Sequence, residues 1–348
     1  MKRLVGLAML PAVLALAVAC NGGGDGGDQT PAGAPSPTAS PQASPTGEAT
    51  YSGVVVTTEH ATGANRFSVG VIDNERNEPI AGAAVAFRFF KLTAAGEGEL
   101  RSQSDAREVA MPRGYIDEDT GELVGSGSIS VYVANPEFDE AGDWGVEITG
   151  TVDGNTIGPI NLPFTVAPPE EVLNVGDPAP KSRQTLASDV EDIAEIDSMR
   201  PPDPMHDMTI EDAVTSGRPT VILFGTPAFC ETLTCGPVMD TVMLPLYEKY
   251  QEQANFIHVE PYFLEEARSG MALCAVPAFN VELARAGVGE GEGACPELSE
   301  EELAAVGESW NLTTEPIIFV VDGGGIIAGK FEAVTGPEEV EQVLSDVL

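Results

Sequence analysis

Hydrophobic and polar positions alternate with a period of two along much of the chain between residues 51 and 167. The alternation is clearest in RFSVGVID, AAVAFRFFKL and SGSISVYVA, where successive side chains would point to opposite faces of a sheet. Two further runs flank Asp153-Gly154, a dipeptide typical of two-residue hairpin turns. The pattern predicts an all-β domain over residues 51–167, built from short strands as a β-sandwich.

After residue 168, predicted strands and helices alternate. RPTVILFGT is a continuous apolar run, which is typical of a strand buried on both faces. The remaining predicted elements are a helix over 236–251, a strand in ANFIHVEPY, a hairpin over 315–334 with a Gly-rich turn, and an amphipathic helix over 337–348. This order predicts a second, α/β domain over residues 168–348.

The beginning of the chain, MKRLVGLAMLPAVLALAVAC, predicts a signal peptide over residues 1–19. Its two basic residues, apolar stretch and small residues before Cys20 are typical of secretory signals, and the apolar run is too short to span a membrane comfortably. The ending AVAC resembles a bacterial lipobox, which implies that Cys20 is lipidated. Residues 20–50 are rich in Gly, Pro, Ser and Thr, so they predict a disordered tether. We therefore expect a protein of the bacterial cell envelope, lipid-anchored on the extracytoplasmic face of the membrane.

The composition is strongly acidic, with a formal net charge of −38. Such a surface repels phosphate backbones and anionic headgroups, so nucleic acid is not an expected partner.

Three motifs carry a resemblance to a known family: VGDPAP at 175–180, FCETLTCGPV at 229–238 and TEPIIFVVD at 314–322. Their order is similar to that of thioredoxin-like proteins of the membrane-anchored thiol–disulfide oxidoreductase type. The resemblance implies a thioredoxin-like fold for residues 168–348, with an insertion around 263–307. It also implies a cis Pro316 that faces the cysteine pair and binds substrate together with Glu315. The β-domain more weakly resembles immunoglobulin-like modules.

The cysteine pair supplies the expected chemistry. A thiolate at a helix N-terminus is stabilised and nucleophilic, and a second thiol can resolve the mixed disulfide. We therefore predict that Cys230 and Cys235 are catalytic, act on extracytoplasmic protein thiols or disulfides, and need no cofactor or metal. The sequence departs from the family because four residues separate the cysteines and the VILF strand lacks a buried acid. Which cysteine is the nucleophile stays open.

Alternative functions come from neighbouring residues. A copper-binding assembly factor, of the type that delivers copper to cytochrome oxidase, would combine the cysteines with His206 or His258, and soft ligands such as Met205 suit Cu(I). A peroxidase pattern is incomplete, since Pro227 lies one residue too far upstream. A non-catalytic binding lipoprotein with a structural Cys230–Cys235 bridge is the other alternative.

Two further cysteines, Cys274 and Cys295, lie in the insertion around 263–307. Four cysteines outside the lipobox allow three connectivities. Because the insertion is Gly-rich and has little core of its own, we predict a stable Cys274–Cys295 disulfide beside a labile Cys230–Cys235 pair.

Overall fold

The structure is a computed structural model that describes residues 50–348, except Met271, Glu292 and the side chain of Ser126. The predicted signal peptide, the lipidation site Cys20 and all but the last residue of the predicted tether lie outside the described residues. Within the described range, no helix has both the length and the apolar character that crossing a membrane requires.

The first part of the described chain consists of strands joined by turns. These strands are β1 (Tyr51–Val55), β2 (Gly63–Ala64), β3 (Phe67–Asp73), β4 (Glu78–Pro79), β5 (Ala84–Leu92), β6 (Gly98–Ile116), β7 (Leu123–Ala134), β8 (Glu137–Phe138), β9 (Gly142–Val152) and β10 (Asn155–Val166). Eight of them form one antiparallel sheet in the order β1-β3-β7-β6-β5-β9-β10, with β4 beside β3.

Strand β6 makes this sheet continuous. Its first half pairs with β5 and its second half pairs with β7, so a single 19-residue strand belongs to both flanks. The two ends of the sheet also meet, since β1 passes against β10 near Gly53 and Leu162. The result is a nearly closed, barrel-like sheet. The predicted immunoglobulin-like β-sandwich is therefore wrong, because a sandwich requires two separate packed sheets.

The predicted hairpin at Asp153-Gly154 is confirmed. Val152 pairs with Asn155 across the turn, and both turn residues have positive φ, 48° and 80°. That conformation matches the twist of the flanking strands, and glycine adopts it without a steric penalty.

The second part of the described chain mixes short helices and short strands. They are α1 (Ile210–Thr215), β11 (Thr220–Phe224), α2 (Cys235–Val238), α3 (Leu244–Tyr250), β12 (Asn255–Val259), α4 (Leu264–Ser269), β13 (Ala272–Cys274), α5 (Val281–Ala286), β14 (Gly289–Gly291), α6 (Glu300–Ala305), β15 (Ile317–Val321), β16 (Ile327–Glu332) and α7 (Pro337–Val347). Four strands form a mixed sheet in the order β12-β11-β15-β16, and β13 pairs with β14. Strands β11 and β12 are parallel, whereas β15 is antiparallel to β11 and β16.

The predicted α/β thioredoxin-like fold is also wrong, because this part has small sheets and few helices. Apart from the 11-residue α7, its described α-helices have only four to seven residues. The predicted helix over 236–251 is divided by a π-helical turn at Met239–Met243. The chain contains 38 glycines and 27 prolines, residues that end or shorten helices. Helices this short cannot form the continuous layers that cover both faces of an α/β sheet.

Strands β6 and β7 cover part of one face of the four-stranded sheet instead. Val221 and Leu223 of β11 share an apolar cluster with Val109 of β6 and Val131 of β7. The other face of β11 packs against α1 and Trp310. A third cluster, rich in phenylalanine, fills the barrel-like sheet. The polar contacts include a buried ion pair between Arg66 and Glu339, with Nε and Oε1 3.0 Å apart. The described residues belong to one compact unit.

Candidate functional site: a buried disulfide and a buried carboxyl

The end of strand β11 positions the first cysteine pair. All five residues of β11 are buried, and the chain then turns over residues 225–234 into α2. Cys230 and Cys235 form a disulfide within this turn, with their Cα atoms 5.9 Å apart. Both cysteines are buried, whereas Glu231 and Thr232 between them are exposed. The solvent side of the disulfide is therefore the Glu231–Thr232 side.

Strand β6 holds the opposite side of this turn. The amide of Gly114 donates to the carbonyl of Leu233 over 2.8 Å, and the amide of Ile116 donates to that of Pro227 over 2.9 Å. At Gly236, a Cβ atom would lie 3.1 Å from backbone atoms of both β6 and Pro227, so a larger residue would make one of these segments shift by a few tenths of an ångström. The barrel-like sheet thus fixes the conformation of the disulfide turn.

Glu315 brings a carboxyl group to the sulfur of Cys235. It precedes β15, which pairs with β11 so that Ile317 lies opposite Phe224, and its peptide bond to Pro316 is cis. The Oε2 atom lies 2.6 Å from Cys235 Sγ, and both residues are buried. Burial, followed by the negative charge of Glu260, raises the pKa of Glu315 to about 8. At neutral pH the group is mostly a carboxylic acid that can give a proton to Cys235 or take one back.

The sulfur of Cys230 has different neighbours. The backbone amide of Cys235 donates to Cys230 Sγ over 3.3 Å. The hydroxyl oxygen of Thr232 lies 3.1 Å from the same sulfur and 2.7 Å from the hydroxyl oxygen of Thr234. An N–H donor and a hydroxyl both stabilise negative charge on sulfur, so a thiolate is better accommodated at Cys230 than at Cys235.

The second cysteine pair lies apart from this turn. Cys274, the last residue of β13, is bonded to Cys295, which follows β14. Cys274 is buried and Cys295 is half-buried. In the described part of the insertion around 263–307, the bridge ties the β13–β14 pair to the segment before α6.

The two histidines that the copper alternative requires lie beside carboxylates rather than beside thiols. His206 and His258 share a buried cluster with Asp197 and Asp203. Burial alone would lower the pKa of His206, but its hydrogen bonds to Asp197 and Asp203 raise it to about 10. His60 packs against phenylalanines in the barrel-like sheet, where burial lowers its pKa to about 4.

A separate group of possible metal-binding atoms comprises the two sulfurs of the Cys230–Cys235 bridge and the carboxyl of Glu315. The copper alternative stays a prediction.

Sequence reasoning missed three of the acidic residues that surround these groups. Asp197, Asp203 and Glu260 belong to no recognisable sequence motif, although Asp203 lies three residues before His206. The predicted substrate-binding role of Glu315 stays a prediction, and its carboxyl lies against Cys235, a catalytic candidate. The strand before the cysteines lacks the buried acid that the family resemblance implies, and the structure places a carboxyl beside Cys235 from the segment before β15.

Comparison with known proteins does not assign the chain to a family. No protein-family model and no curated protein matches the chain. A solved structure described as "Pseudomonas fluorescens alkylpurine DNA glycosylase AlkC bound to DNA containing an abasic site analog" is similar over 34% of this chain and 30% of its own chain. The aligned residues are 13% identical and the TM-score is 0.19. A similarity of that size carries no argument about fold or function.

Proposed function

We propose that this protein carries out thiol–disulfide exchange at the Cys230–Cys235 bridge in an extracytoplasmic compartment. The observation that supports the proposal best is the Glu315 carboxyl 2.6 Å from Cys235 Sγ. Burying a carboxyl group costs free energy, and a purely structural disulfide has no use for a proton donor at its sulfur. Two disulfides in the described chain also suit an oxidising compartment.

The surroundings of the two sulfurs assign their roles in the exchange. An incoming substrate thiolate attacks Cys230 Sγ, the Cys230–Cys235 bond breaks, and a mixed disulfide forms between substrate and Cys230. The Cys235 sulfur leaves as a thiolate and takes the proton of the Glu315 carboxyl. In the reverse direction, the Glu315 carboxylate removes the proton of the Cys235 thiol. The Cys235 thiolate then attacks the Cys230 sulfur and releases the substrate thiolate.

Trapping a mixed disulfide tests the proposal. With Cys235→Ser, the free Cys230 thiol should form a stable mixed disulfide with oxidised glutathione, detectable by mass spectrometry of the intact protein. With Cys230→Ser, Cys235 should react far more slowly because its sulfur faces the Glu315 carboxyl, whereas Cys230 Sγ has an N–H donor and a hydroxyl beside it. The Cys274–Cys295 bridge is unchanged in both variants and serves as the internal control.

Equal reactivity of the two variants would contradict the assigned roles. Failure of both variants to form a mixed disulfide, with both folded, would favour the non-catalytic alternative in which the bridge is structural.

A further inference from the structure

A second buried cluster lies near the end of strand β12. It consists of Asp197, Asp203, His206 and His258, and one possible ligand atom from each lies within 4.8 Å of the others. His258 Nδ1 is 2.7 Å from Asp203 Oδ2, and His206 Nε2 is 3.2 Å from the same oxygen. His206 Nε2 is also 3.5 Å from Asp197 Oδ2. Two imidazole nitrogens and two carboxylate oxygens therefore converge on one point.

Hydrogen bonds to the backbone orient these side chains. His258 Nε2 lies 2.9 Å from the carbonyl oxygen of Gly225, which can only accept, so Nε2 carries a proton and Nδ1 faces the cluster. Asp203 Oδ1 accepts from the Met205 amide over 2.9 Å, and Asp197 Oδ1 accepts from the Met199 amide over 2.7 Å. Such contacts fix the tautomer and direction of metal ligands in known sites.

Charge balance favours a cation at this point. The two buried carboxylates accept hydrogen bonds from backbone amides, and positive charge beside them comes either from imidazolium protons or from a divalent ion that replaces those protons. The imidazole rings of His206 and His258 are only 5.1 Å apart between centroids, so two imidazolium charges would repel each other inside the protein. One ion in contact with all four ligands avoids this repulsion.

A cavity borders the histidine side of the cluster. It has a volume of about 120 Å³, and both His206 and His258 lie in its wall together with Glu260 and Tyr262. The cavity therefore adjoins the two imidazole rings, whereas Asp197 and Asp203 lie outside its wall.

We propose that Asp197, Asp203, His206 and His258 form a binding site for a divalent transition-metal ion of the Zn²⁺ class. Imidazole and carboxylate are both ordinary Zn²⁺ ligands, and four ligands suit its tetrahedral preference. Because His258 donates to Gly225, the first residue after β11, an ion here would brace the strand end that leads to the disulfide turn.

Calorimetric titration of the full chain with Zn²⁺ tests the site. Both disulfides are kept oxidised and Cys20 is blocked by alkylation so that no thiolate competes, and excess Mg²⁺ occupies the acidic surface. The expected result is one Zn²⁺ per chain, with affinity reduced on the order of 100-fold or more in His206→Gln and in Asp203→Asn. His60→Gln is the matched control, since His60 lies among phenylalanines, and it should bind Zn²⁺ like the wild type.

A second measurement on the wild-type chain is independent of whether the variants fold. Co²⁺ should give the intense visible absorption of a tetrahedral site, without the charge-transfer band of a cobalt–thiolate bond. The proposal is overturned by a lack of stoichiometric Zn²⁺ binding to the wild type, by unchanged affinity in both cluster variants, or by a thiolate band. None of these results depends on the exchange chemistry, because the disulfides stay intact throughout.

Discussion

Replacing Glu315 with glutamine removes a titrating group while keeping its size. Glu315 is 8% exposed in the wild type, and its carboxyl lies beside Cys235 Sγ. The amide of Glu315→Gln stays neutral at every pH, so a comparison of the two proteins isolates the effect of this one ionisation on stability and on exchange.

The expected magnitude follows from the pKa of Glu315. Burial, followed by the charge of Glu260, raises this pKa from the ordinary value of 4.5 to about 8. Between these values the folded state holds a proton that the unfolded state has lost, so wild-type stability falls as pH rises. The contribution is fully present below pH 4.5 and is lost as pH rises through about 8. From about pH 5 to about pH 8, the wild type should lose about 3 kcal/mol relative to Glu315→Gln.

Urea unfolding of the oxidised proteins, followed by far-ultraviolet circular dichroism at a series of pH values, measures this difference. Parallel pH dependences for the wild type and Glu315→Gln would refute the reasoning. The rate of reduction of the Cys230–Cys235 bridge by dithiothreitol gives the second readout. It should fall about 10²-fold in Glu315→Gln, the low end for loss of a proton-transfer group.

Glu332→Gln is the control for the exchange rate. Burial also raises the pKa of Glu332, but its carboxyl accepts hydrogen bonds from the amide and hydroxyl of Thr58, each over 2.8 Å, and it does not contact a sulfur. Its substitution should therefore change stability and leave the rate of bridge reduction unchanged.

Three further predictions concern other parts of the chain. Gly236→Ala should push β6 away from the disulfide turn, which lowers the free energy of unfolding by about 1–3 kcal/mol and speeds reduction of the Cys230–Cys235 bridge. Gly324→Ala, in an exposed turn, should change neither the stability nor the reduction rate. Urea unfolding measures the stability, and alkylation kinetics measure the reduction rate. Replacing Cys274 and Cys295 together by alanine should lower the free energy of unfolding by about 3 kcal/mol, because the disulfide closes a loop that spans 21 positions. In the wild type, mild reductant should open the Cys230–Cys235 bridge before the Cys274–Cys295 bridge. Cys20 should carry lipid, and an unmodified Cys20 in the mass spectrum of the envelope-derived protein would contradict that prediction.

Local sequence signals predicted individual strands, turns and helices better than they predicted how these elements assemble. The buried run before Cys230 is strand β11, Asp153-Gly154 is a hairpin, and residues 337–347 are a helix. Each depends on residues close together in the chain, through periodicity or turn conformation. Strand β6 escaped prediction because much of it, such as LRSQSDARE, is polar and shows no apolar alternation. That missed strand joins what had been predicted as two sheets.

The sequence by itself determined which side chains have chemistry to offer: two cysteines on a turn after a buried strand, and two histidines that could bind a metal. Only the tertiary structure decided what these side chains meet. Glu315 reaches Cys235 because β15 pairs with β11, and the backbone of β6 closes over the same turn from residues more than 100 positions earlier. The physical reason is that pKa values and ligand sets depend on burial and on contacts between distant segments. Composition and local periodicity carry no information on such contacts.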